Sequence, residues 1–132
     1  MRHKSRDEIR SIANILPSAL NPRPMPKRER LERWADALDR ERGRLLKTLF
    51  RVEYVLRARR MALRADDSPL SIAYKNPFLR AEGLTGDAVG DAMAFFGITE
   101  RELHDILCFC HYGEAMRASE AAERVRAVAA HA

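Results

Sequence analysis

Hydrophobic positions recur at helical spacing along most of the chain. Ser5-Arg6-Asp7-Glu8 has the form of a capping box, and Ile9, Ile12, Ala13 and Leu16 follow on one stripe until Pro17 closes the segment. Residues 17–26, PSALNPRPMP, hold four prolines and predict an extended connection. From Lys27, the residues Leu31, Trp34, Leu38, Leu45, Leu49, Val52 and Leu56 keep one apolar phase. That phase runs across Gly43. A single helix over the stretch would be unusually long, so two helices are expected, the second ending near Arg64 ahead of Asp66-Asp67-Ser68-Pro69.

The rest of the chain is punctuated more closely. Ser68-Pro69 predicts a short helix through Tyr74 with proline in its first turn, and Asn76-Pro77 a further turn through Arg80. Thr85-Gly86-Asp87 leads into a helix to Phe96 with Val89, Ala92, Met93 and Phe96 inward and Gly97 as C-cap. Thr99 and Glu102 form a second capping box, opening a helix to about His111. A last helix covers roughly residues 119–130, with Ala121, Ala122, Val125 and Val128 on its apolar face.

No segment alternates with period two for long enough to predict a strand. The expectation is therefore an all-α compact bundle of five to seven helices, without a sheet. Residues 1–26 are read as a helical arm and proline-rich connection, and residues 27–132 as a helical domain with a single core.

Composition narrows the class without naming a function. Hydrophobic residues make up 46% and charged residues 33% of the 132 positions, which is globular rather than disordered. No apolar run approaches the roughly 18 residues of a membrane span, and MRHKSRDEIRS lacks the apolar part of a secretory signal. A cytoplasmic location is expected. Nothing in the chain specifies an oligomeric state.

Charge changes the picture more. Residues 1–64 hold 18 Lys/Arg against 8 Asp/Glu, a balance of +10, whereas residues 65–132 hold 6 against 11, a balance of −5. A dipolar chain of this kind points to a basic surface for an acidic partner, or to a basic half that packs beside its own acidic half. Within RVEYVLRARRMALR, the arginines Arg51, Arg57, Arg59, Arg60 and Arg64 are the candidate surface, and Arg57, Arg60 and Arg64 share one helical face. Arg23, Lys27, Arg28 and Arg30 form a second basic cluster. Trp34 and Tyr54 fall in the apolar pattern and are expected in the core.

Two further motifs carry alternatives. Residues 87–110 read as helix, glycine turn, helix, the arrangement of a DNA-binding helix-turn-helix. Two features oppose that reading. Met93 occupies the position where a small residue is usual, and Glu100, Glu102 and Asp105 make the would-be reading helix acidic, which works against phosphate contact.

The other motif is a ligand-type flank. His104, Cys108 and His111 fall within about 60° on one side of their helix. A thiolate and two imidazoles suit zinc, with a fourth ligand needed from elsewhere, His3 or His131 being the only other histidines. A Cys108–His111 or Cys108–His104 nucleophile pair lacks an oxyanion site and a third orienting group, so no enzyme is expected. The less demanding reading makes Cys108 a small packed hydrophobe and the histidines partly buried residues satisfied by a backbone or water partner. Cys108 and Cys110 would point about 200° apart on a helix and would not pair.

Asp87 and Asp91, one turn apart, are expected to complement a helix dipole rather than hold a cation. Gly83, Gly86 and Gly90 have no preceding strand or following lysine and do not form a phosphate loop. Three readings result: a non-enzymatic module whose basic half binds an acidic protein, a nucleic-acid-binding regulator, and a metal- or thiol-responsive protein.

Overall fold

The computed structural model describes residues 25–47, 56–107 and 115–132. Helix α1 (Lys27–Asp39) is the hub of the core. Its apolar residues Leu31, Trp34 and Leu38 recur at three and four positions and are fully buried, each leucine contributing about 2 kcal/mol by removal from water. Trp34 stacks on Phe96 with ring centroids 4.6 Å apart, and its indole N–H donates to the Pro69 carbonyl at 2.9 Å. A carboxylate at a helix C-terminus faces the wrong end of the dipole, so Asp39 needs cations. It has two, from Arg42 at 2.9 Å and Arg126 at 2.6 Å.

The chain then departs from the expected second helix. Arg40–Gly43 form a turn closed by the Arg44 N–H on the Glu41 carbonyl at 2.9 Å. Strand β1 (Leu45–Lys47) follows and pairs antiparallel with β2 (Ala115–Arg117), with Leu46 opposite Met116. The expectation of no sheet is thus corrected to a small two-stranded sheet in a predominantly helical protein. The reason is burial: the strand turns Leu46 fully inward and leaves Leu45 62% exposed, whereas the helical stripe had placed Leu45 inside.

Helix α2 is only Arg57–Met61, so the helix expected to end near Arg64 stops three residues earlier. Helices α3 (Pro69–Lys75) and α4 (Pro77–Glu82) begin where the Ser68-Pro69 and Asn76-Pro77 signals place them. Ser68 and Ser71 cap α3 reciprocally, with bonds of 3.1 and 3.0 Å. The Asn76 carboxamide oxygen accepts the Phe78 and Leu79 N–H groups at the start of α4. Helix α5 (Val89–Phe96) ends at Gly97, whose φ of 65° is the left-handed conformation a C-cap glycine supplies. Helix α6 (Glu100–Leu107) opens on the Thr99–Glu102 box, in which the Glu102 N–H donates to the Thr99 hydroxyl at 3.1 Å and the Thr99 N–H to Glu102 at 2.9 Å.

Helix α7 (Ala118–Ala129) packs along α1 and buries Ala121, Ala122 and Val125. Seven helices lie among the described residues, and none of them is long and apolar enough to cross a membrane. The first expected helix and its capping box, most of the proline-rich connection, and Arg23, Arg51, Tyr54, Cys108, Cys110 and His111 lie outside the described residues.

Candidate functional site

Four of the five candidate arginines sit on one short strap, residues 56–64, laid across the starts of α5 and α6. Helix α2 within it buries none of its residues. Its N-cap, Leu56, offers no polar side chain to the first-turn N–H groups and is itself 77% exposed. Arg59 and Arg60 in its last turn do suit the negative end of the dipole.

The strap touches the body through its trailing end. Met61 and Leu63 are half-buried against the core, and the Val89 N–H donates to the Leu63 carbonyl at 2.9 Å. Glycine at position 90 permits this approach. A Cβ there would meet the Met61 carbonyl oxygen at 3.1 Å.

Ion pairs fix the rest. Arg60 grips Glu100 with two nitrogens, Nε on one carboxylate oxygen and Nη2 on the other, the latter at 3.2 Å. Arg57 adds a looser contact to the same carboxylate at 3.7 Å. Arg64 holds Asp87 in a fork, Nε at 2.8 Å and Nη2 at 3.0 Å, and also reaches Asp66 at 2.8 Å.

The electrostatics follow from these contacts. The Arg60 hydrogen bond holds the Glu100 carboxyl below its usual range against the opposing effect of burial, with Arg57 and His104 adding to the same direction. Hydrogen bonding from Arg64 likewise lowers Asp66. Glu100 and Glu102 both lie in the first turn of α6, where the helix dipole favours negative charge.

The nominated residues therefore divide. Arg60 and Arg64 are engaged by the chain's own acidic half, the arrangement in which the two oppositely charged halves pack together. Arg57 keeps 69% of its side chain exposed, and Arg59 is exposed and makes no ion pair with another described residue. His104 lies half-exposed on α6, one turn after Glu100. Its proposed companions Cys108 and His111 fall outside the described residues, among which no cluster of three metal-ligating side chains occurs. Asp87 and Asp91 have separate uses. Asp87 receives Arg64, and Asp91 accepts the Ala88 N–H at 3.3 Å at the head of its own helix.

Two features were not visible in the sequence. One is a half-buried pair, Arg30 and Glu82, 3.8 Å apart, with Arg30 also donating to the Phe95 carbonyl at 2.7 Å and lying over the Phe95 ring. The other is an open cleft of about 370 Å³ beside α1 and α4, with Phe78 at its edge. Its charges are largely matched, Glu29 with Arg33 and Asp36 with Arg126. Compared with known proteins, the chain matches no family model, no curated protein and no solved structure.

Proposed function

We propose that the chain is a cytoplasmic, non-enzymatic binding module whose basic strap engages an acidic protein partner. The observation that carries this reading is the exposure of Leu56, Arg57 and Arg59 together at the head of a helix with no fully buried residue. An exposed apolar side chain followed by two exposed arginines suits a partner that offers carboxylates beside an apolar side chain. Arginine favours such contacts, because its planar fork matches a carboxylate and it is more weakly hydrated than lysine. The test is the affinity for a short glutamate-rich peptide containing leucine, measured with the wild-type chain and with Arg57→Glu combined with Arg59→Glu. The reading expects the reversal to abolish binding; unchanged affinity would remove the strap as the surface.

Nucleic-acid binding is the second reading, and one observation favours it. Arg57 and Arg60 are drawn to the start of α6, the second helix of the helix–glycine–helix segment, and there offset the Glu100 charge that opposes phosphate. On this reading affinity falls steeply with salt, because neutralised phosphates release their counterions.

A further inference from the structure

We propose that the strap is autoinhibited: Glu100 and Asp87 occupy its arginines as built-in competitors, and the acidic partner binds by displacing them. This rests on the reading of the strap as an acidic-partner surface and adds how that surface is regulated. Three observations point to it.

The first is mimicry. Glu100 and Asp87 each take an arginine through both carboxylate oxygens, the same two-point contact a partner's glutamate or aspartate would make. The second is weak attachment. Helix α2 has no fully buried residue, and the described attachments beyond the ion pairs include the half-buried Met61 and Leu63 and the Leu63 carbonyl bond. The third is accessibility. The Arg60 and Glu100 side chains are each 26% exposed, and Arg64 is 52% exposed, so incoming carboxylates can reach the guanidinium groups without unfolding the core.

Surface pairs of this kind each shift an equilibrium by only roughly two- to fivefold. One external carboxylate would not outcompete a tethered one. A partner presenting several carboxylates would, since each later contact forms within an existing complex. Arg57 and Arg59 make the first contact; Arg60 and Arg64 then exchange Glu100 and Asp87 for the partner's groups.

The experiment compares binding of a short polyglutamate peptide to the wild-type chain and to Glu100→Gln combined with Asp87→Asn. Both substitutions keep side-chain shape, and the Thr99–Glu102 box still caps α6. Removing these two carboxylates, with Asp66 still on Arg64, is expected to tighten binding roughly fivefold to tenfold. It should also accelerate amide hydrogen exchange across residues 57–64.

A control with the same charge change on the exposed face of α7, Glu120→Gln with Glu123→Gln, should stay within about twofold of wild type, because screening limits long-range effects. Equal affinity for the wild-type and released chains, with both lost on Arg57→Glu and Arg59→Glu, would overturn the competition while leaving the binding reading intact. Equal tightening in the α7 control would also overturn it, as would unchanged exchange in the strap. Absence of binding by either chain would sink the binding reading and this inference with it.

Discussion

The Arg30–Glu82 pair gives an asymmetric prediction. The Arg30 side chain is 17% exposed and that of Glu82 8%, so both charges have left most of their water. Their contact is loose at 3.8 Å, and Arg30 Nε and Glu82 Oε2 have no hydrogen-bond partner. Arg30 has other attachments, the Phe95 carbonyl at 2.7 Å and the Phe95 ring 4.3 Å from its guanidinium carbon. Glu82→Gln removes a costly buried carboxylate and leaves those attachments in place.

A pair this poorly formed offsets little of its desolvation, so the loss should be under about 1 kcal/mol. Arg30→Met keeps much of the volume. It leaves the carboxylate buried without a cation and the Phe95 carbonyl without its donor. An uncompensated buried charge alone typically costs 3–5 kcal/mol; the 3.8 Å separation places this one at the low end, and about 3 kcal/mol is expected. Urea unfolding followed by far-ultraviolet circular dichroism and Trp34 fluorescence measures both. Equal losses, or a larger loss for Glu82→Gln, would show that Glu82 is not held by Arg30 in this way.

Three smaller predictions follow from caps and charges. Asn76→Ala removes the acceptor for two N–H groups at the head of α4 and should cost about 1 kcal/mol by the same unfolding measurement. Gly97→Ala forces a Cβ into the left-handed region and should cost about 1 kcal/mol, with no steric objection beyond the backbone, since the nearest atom to that Cβ is 4.0 Å away. The Glu100 carboxyl is held below its ordinary value by Arg60. Its contribution to stability is therefore present above the unfolded-state value and lost as pH falls through the folded one. In a carbon-detected NMR titration its midpoint should rise toward that of an ordinary glutamate in Arg60→Gln, and no movement would contradict the pairing.

Local signals in the sequence located the elements well where a single residue type does a single job. Gly97 is needed at a left-handed position, Thr99 and Glu102 close on each other, and proline after Ser68 and Asn76 starts α3 and α4. Each of these is decided within four residues. The strand at Leu45–Lys47 was hidden because three residues offer one alternation, too short to register, and its partner Ala115–Arg117 lies about seventy positions away. The apolar stripe through Leu45 and Leu56 was a coincidence of spacing, as both are exposed.

The candidate site was half legible. The charge split marked the arginines and allowed that the basic half packs against the acidic one. Which carboxylates they meet depends on pairs 40 positions apart for Arg60–Glu100 and 23 for Arg64–Asp87. No local pattern encodes such separations.

The most direct test of the central claim is a fluorescence-anisotropy titration of the full chain with a labelled glutamate-rich peptide and, alongside it, mixed-sequence duplex and single-stranded DNA and RNA over a range of salt. The acidic peptide is expected to bind through the strap and to lose binding on Arg57→Glu with Arg59→Glu, with nucleic acids binding more weakly at every salt concentration. Submicromolar binding of nucleic acid with a steep negative salt slope, abolished by the same substitutions while the peptide shows no binding, would contradict that claim and give the strap to phosphates instead.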